Sequence, residues 1–118
     1  MWEVEYTDQV GAWWHQLDDD QQERAAAAVE IIEPGGPGVG RPRVDTLEGS
    51  RHANLKELRT GNVRVLFAFD PTRTAVLLLG GDKTGRWREW YSQAVPLAGR
   101  LYDEHLRRLV EEELIDDV

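Results

Sequence analysis

Asn54-Leu55-Lys56-Glu57-Leu58-Arg59-Thr60-Gly61-Asn62-Val63-Arg64-Val65-Leu66-Phe67-Ala68-Phe69-Asp70 is the stretch that decides the fold. Val63, Val65, Phe67 and Phe69 alternate with Arg64, Leu66, Ala68 and Asp70, the period of two that sends successive side chains to opposite faces of a strand. Strands are expected over residues 54–59, 62–70 and 75–80. Thr60-Gly61 and Asp70-Pro71-Thr72-Arg73 supply the turns between them, so adjacent antiparallel strands follow. If Leu58 shares the core face of Val63 and Val65, parity puts Glu57, Arg59 and Arg64 on the other face. Arg59 and Arg64 then converge across one tight turn. Lys56 falls on the Leu58 side, from which its alkyl stem reaches only the rim.

Working outward towards the N-terminus, Trp2, Val4 and Tyr6 alternate with Glu3 and Glu5, the pattern of a half-buried strand. Thr7 or Asp8 can cap a helix whose apolar stripe is Val10, Trp13, Trp14 and Leu17. Asp18 to Asp20 interrupt that stripe and favour the start of a second helix over residues 21–33, with Ala25, Ala28, Val29 and Ile32 on one face. A helix hairpin results, expected to cover the Val63 face of the sheet. Pro34, Gly35, Gly36, Pro37, Gly38 and Gly40 then form a turn-rich connector. Towards the C-terminus, Pro96 suits the first turn of a final helix running from Leu97 to about Leu114. The expected class is α+β: an N-terminal strand, a helix hairpin, an antiparallel sheet meander and a C-terminal helix, in a single domain over residues 1–118.

The charge is segregated along this frame. Residues 41–88 hold ten Lys/Arg against five Asp/Glu, inside a chain of net charge −8. Overall acidity slows the approach of a polyanion, whereas a local basic face reverses that effect. The chain has no cysteine, which excludes thiol catalysis and thiolate metal sites and suits a reducing compartment. Its three histidines, His15, His52 and His105, have no metal-ligand spacing, so no metal or other cofactor is expected. The apolar runs are too short to span a bilayer and no signal pattern opens the sequence, so a soluble cytoplasmic protein without membrane contact is expected.

Lys83, Arg86 and Arg88 follow the last strand among Gly80, Gly81 and Gly85, which let the chain bend close to a ligand backbone. Together with Arg59 and Arg64 they define an expected cationic pocket on an open sheet face. Guanidinium forks that cannot lose their charge near neutral pH suit phosphate. Trp87 and Trp90 flank the basic segment and offer stacking surfaces for a base. The contrary reading is that Arg59 and Arg64 pair with Glu57, Asp70 or a helix carboxylate, in exposed ion pairs worth about 0 to 1 kcal/mol.

Asn54-Leu55-Lys56-Glu57-Leu58-Arg59, then Val63-Arg64-Val65-Leu66-Phe67, then Leu77-Leu78-Leu79-Gly80-Gly81-Asp82-Lys83, resembles the RelE/ParE superfamily of toxin–antitoxin toxins, nearest its phage-related HigB-like, or Gp49-like, branch. The order of elements carries the likeness over nearly the whole chain. It implies a RelE-like compact fold and a metal-independent endoribonuclease that cleaves messenger RNA, commonly on the ribosome, and so inhibits translation. The implied step is attack of a ribose 2′-hydroxyl on the adjacent phosphate, leaving a 2′,3′-cyclic phosphate and a 5′-hydroxyl. By this resemblance Arg59 and Arg64 clamp phosphate, and Lys83 holds the phosphate or moves a proton. Tyr91, Arg86 and His52 are the further candidates for proton transfer, and Lys56, Arg86, Arg88, Trp87 and His52 for RNA binding.

The implied partners are messenger RNA, the ribosome and a cognate antitoxin carrying a helix-turn-helix domain. The superfamily admits two other readings: a ParE-like toxin that binds a topoisomerase without ribonuclease chemistry, and a decayed member that only binds its antitoxin. Asp82 departs from the family's paired basic residues and adds a negative charge on the expected RNA path. On this reading Arg64→Ala is expected to abolish cleavage and leave the fold intact.

Overall fold

The computed structural model describes residues 1–117. At its centre β3 (Leu55–Thr60) and β4 (Val63–Phe69) pair antiparallel in the expected register, with Leu58 opposite Val65 and Arg59 opposite Arg64. Gly61 makes the tight turn at φ +57°, a conformation open to glycine at little cost. β5 (Thr74–Asp82) returns against β4 through the turn after Asp70. The register slips between Leu66 and Phe67, so Leu78 becomes the extra residue of a bulge and is fully buried.

Two further strands complete the sheet, in the order β1-β5-β4-β3-β2. The opening strand β1 (Glu3–Tyr6) lies parallel to β5, so the sheet is mixed, with the antiparallel meander as its greater part. Tyr6 does not share the burial of Val4 and is exposed. The short edge strand β2 (Val44–Thr46) was not expected; it pairs antiparallel with β3.

The helix hairpin forms as the side-chain pattern demands. Thr7 caps α1 (Asp8–Trp14) by accepting from the Val10 N–H at 3.2 Å. Asp18 caps α2 (Asp19–Gly35) in a reciprocal box with Gln21, satisfying backbone donors on both sides. The helix passes through Pro34, which the sequence reading excluded. It ends only where Gly36 takes φ +54° against the Trp2 indole, beginning a 3-10 turn over Gly36–Gly38. The connector is therefore packed at its start, because Trp2 fills the space that a side chain at residue 36 would need. Val10, Ala28 and Ile32 bury Val63, Val65 and Phe67 on this side, as parity required.

The other face of the sheet is not open. α3 runs Trp87–Glu111, ten residues earlier than Pro96 signalled, and packs Ala94, Ala98, Leu101 and Tyr102 on Leu66, Ala68, Val76 and Leu78. Pro96 sits inside the helix, where it removes one backbone hydrogen bond at a cost of about 3 kcal/mol. Burial of the apolar face on both sides of Pro96 offsets that cost. Gly80 and Gly81 belong to β5 and do not bend it away; a side chain at either would overlap Trp13 or Trp90 respectively.

A buried pair ties α3 to the β4–β5 turn. His105 Nε2 lies 2.7 Å from Asp70 Oδ2, while Asp70 Oδ1 accepts from the Thr72 and Thr74 N–H groups and the Thr72 hydroxyl. Arg108 donates to His105 Nδ1, which leaves Nε2 to carry the proton toward Asp70. Burial alone would raise the Asp70 pKa, but hydrogen bonds from His105, Thr74 and Thr72 together hold it below the ordinary carboxylate value. A depressed folded pKa contributes stability that is present above the unfolded value and is lost as pH falls through the folded one. Acid titration of the thermal midpoint is therefore expected to show a loss below about pH 4 that Asp70→Asn removes; an identical acid limb in the variant would refute this.

Candidate active site

The site is built from cross-strand register. Asp45 of β2 stands directly opposite Glu57 of β3, a like-charge pairing that destabilises a sheet unless a cation intervenes. Arg59 provides it, with Nε 3.1 Å from Glu57 Oε1 and a terminal nitrogen 3.2 Å from Asp45 Oδ2. The Arg41 Nε approaches the same Asp45 oxygen at 3.1 Å. Hydrogen bonding from Arg41 is the main cause holding the Asp45 carboxyl below its ordinary pKa, helped by the Thr46 N–H and Arg59 against a partial burial penalty.

Arg64 reaches Glu57 from the other side. Its Nε lies 3.2 Å from Glu57 Oε1 yet makes no hydrogen bond, while NH1 donates to the Gly61 and Val63 carbonyls at 2.7 and 3.0 Å. The two arginines converge as parity predicted, but they differ in access: the Arg64 side chain is 11% exposed and that of Arg59 is 37%. The reading in which both pair with Glu57 is also present in the structure.

The early start of α3 brings Tyr91 over this network. Desolvation pushes the Tyr91 phenol up to about 12, with the Glu57 carboxylate adding to the rise and Arg64 partly opposing it. Tyr91 therefore holds its proton at neutral pH and serves as a donor. Its ring meets Trp87 and Trp90 edge-on, and Lys83 Nζ lies 5.1 Å from the centre of the Trp87 ring. Arg59, Lys83, Glu57, Asp45, Trp87 and Tyr91 line one groove of about 670 Å³.

The remaining candidates lie elsewhere. Lys56 is on the helix-hairpin face, donating to Thr46 Oγ1 at 3.1 Å, and lines an adjoining cavity with Val39 and Phe69 that shares Arg41, Asp45 and Thr46 with the groove. His52 precedes β3 at the far end, where it and Arg51 pair with Asp103. Arg86, just before α3, and Arg88, on its first turn, are exposed; Arg86 pairs weakly with Glu89, and Arg88 lies over Trp87. Asp82 does not enter the groove. Its cross-strand partner Val63 faces the helix hairpin, and its carboxylate accepts from the Thr84 N–H and hydroxyl. Among the described residues no three His, Asp or Glu converge as a metal site.

Four charged groove residues escaped the sequence reading as site members, Arg41, Asp45, Glu48 and Glu57. The alternation that exposed Arg59 and Arg64 placed Glu57 beside them, but nothing local announced β2 or its register against β3.

Residues 12–103 match the family described as phage-derived protein Gp49-like. HigB2 of Mycobacterium tuberculosis (strain ATCC 25618 / H37Rv), whose name describes a toxin, is 46% identical over 104 residues, covering 84% of this chain. This chain spans about half of HigB2, 52% of its length. HigB3 of the same organism is 46% identical over 92 residues, covering 76% of this chain and 81% of the relative. Among solved structures, an archaeal RelE–RelB complex from Pyrococcus horikoshii OT3 aligns with a TM-score of 0.58 at 22% identity, over 70% of this chain and 96% of that one, which shows a shared fold. The match across residues 12–103 and the two HigB relatives mean that this chain belongs to the Gp49-like family, with a RelE-like fold.

Proposed function

We propose that this protein is the toxin of a type II toxin–antitoxin pair, acting as one domain and inhibiting translation by cleaving messenger RNA without a metal. The observation that carries the reading is the groove itself, which brings Arg59, Lys83, Glu57 and Tyr91 together along one lining. Family membership with HigB2 and HigB3 supports it.

In this mechanism Arg59 and Lys83 hold the scissile phosphate and stabilise the charge that builds on its oxygens. Glu57, oriented by Arg59 and Arg64, takes the proton of the attacking 2′-hydroxyl as the new O–P bond forms. The bond from phosphorus to the 5′-oxygen breaks, and Tyr91 gives that oxygen its proton. An alkoxide is a stronger base than a phenolate, so the transfer is downhill even from a phenol near 12. Arg64 beside Tyr91 steadies the phenolate left behind, and solvent takes the proton from Glu57 and returns one to Tyr91. The products are a 2′,3′-cyclic phosphate and a 5′-hydroxyl.

The RelE–RelB complex from Pyrococcus horikoshii supports a protein partner for this chain, which in this proposal is its antitoxin. A helix-turn-helix domain on that antitoxin and messenger RNA on the ribosome complete the proposal.

Arg59→Ala tests the reading. Expressed without antitoxin, the wild type is expected to generate new 5′ ends on cellular messenger RNA. The variant should do so about 10²- to 10³-fold less, the usual loss for one transition-state charge donor. Its partly exposed ion pairs predict a stability change within about 1 kcal/mol. Growth arrest by the wild type without new ends would overturn the ribonuclease proposal.

A further inference from the structure

The groove that we read as a phosphate site is filled by the protein's own charges. Its cations, Arg41, Arg59 and Lys83, are matched by Asp45, Glu48 and Glu57. A balanced groove attracts a polyanion weakly, so a phosphate must first replace one of the carboxylates.

The three are not equally held. Glu57 is buried, with both Arg59 and Arg64 within ion-pair distance. Glu48 makes no ion pair among the described residues and so neutralises no particular cation. Asp45 differs from both: a single oxygen, Oδ2, bridges Arg41 and Arg59. Its Arg41 partner is 78% exposed, where water and salt weaken the pair. Its backbone strand is anchored independently, by buried Val44 and Leu47 on either side, so the side chain can turn away without loss of the sheet edge. It also stands opposite Glu57, and that repulsion favours its departure as soon as Arg59 has another anion.

We propose that Asp45 is a built-in counter-anion which occupies the phosphate position on Arg59 in the resting protein and is displaced when RNA enters. One displacement releases two guanidinium groups, Arg59 at the groove and Arg41 at its rim. Asp45 thereby sets a threshold on binding: an isolated anion must exchange for it, while a strand that also engages Lys83 has a further contact to offset the exchange.

This inference rests on the groove being an RNA-phosphate site, and the experiment separates the two. Asp45→Asn keeps an acceptor for the Thr46 N–H, which Asp45 Oδ1 holds at 2.9 Å, and removes the charge. Inorganic phosphate is titrated while the Arg59 Nε–H resonance is followed, and a 2′-deoxy oligonucleotide, which cannot be cleaved, is titrated in parallel. Asp45→Asn is expected to tighten both by roughly three- to tenfold. The oligonucleotide's salt slope should steepen by about 0.7 for the added net charge. Asp82→Asn, on the other side of the sheet, should change neither.

Unchanged or weaker phosphate binding in Asp45→Asn overturns the counter-anion, whatever the oligonucleotide does. Tighter phosphate with no oligonucleotide binding to either protein upholds the counter-anion and removes RNA as the ligand.

Discussion

Glu57→Gln is expected to lower RNA cleavage by on the order of 10²- to 10⁴-fold, the range for losing a positioned general base. Glutamine keeps the size of the side chain and an oxygen for Arg59 and Arg64, but it cannot accept the 2′-hydroxyl proton. The effect should fall on the chemical step. A single-turnover assay on a short RNA should show a slower cleavage rate with little change in the concentration giving half-maximal rate. Binding of the 2′-deoxy strand should rise slightly, because one groove carboxylate is gone. Cleavage within tenfold of wild type would remove Glu57 as the base and leave it as a partner that orients the arginines.

Arg64→Ala is expected to damage the fold as well as the activity. The guanidinium is buried between β4 and α3, donates to two backbone carbonyls and stands beside a carboxylate whose own side chain is 6% exposed. Its loss leaves the Gly61 and Val63 carbonyls without that donor and the buried Glu57 carboxylate with Arg59 alone, at a cost of about 3–5 kcal/mol, the range for breaking a buried pair. Against a total stability of roughly 5–15 kcal/mol, that is a large fraction. Urea unfolding should show the midpoint falling accordingly, and a thermal scan a drop of roughly 10 to 20 °C. Burial thus reverses the expectation, drawn from strand parity, that this variant would lose cleavage and keep its fold. An unfolding midpoint equal to wild type would show that Arg64 is not part of the structural network. The contrast with Arg59→Ala is diagnostic, because both arginines touch Glu57 but only Arg59 retains substantial exposure.

The candidate site was legible where local pattern determines geometry. Alternation from Val63 to Phe69 and a tight turn at Gly61 are enough to bring Arg59 opposite Arg64 and to put Leu58 on the other face. The helix hairpin was legible for the same reason, since its caps and stripes are short-range features. Boundaries failed where a strong local signal was overridden by packing. Pro34 and Pro96 both read as helix limits, and both lie within helices whose buried faces outweigh one lost hydrogen bond. β2 escaped because three residues carry too little periodicity to show a strand, and its place beside β3 is a long-range pairing.

The amino-acid order by itself determined the central meander, the side on which Glu57, Arg59 and Arg64 emerge, and the concentration of basic residues between positions 41 and 88. Only the tertiary structure decided which of those charges meet solvent. α3 crosses the face that strand parity had left open, and Gly81 gives Trp90 the room to seat its first turns there. That crossing buries Arg64 and Glu57, brings Tyr91 beside them and leaves Arg59 and Lys83 partly exposed along the groove. Parity is a property of neighbouring residues in one strand. Burial depends on which distant element covers the strand, and no local pattern encodes it.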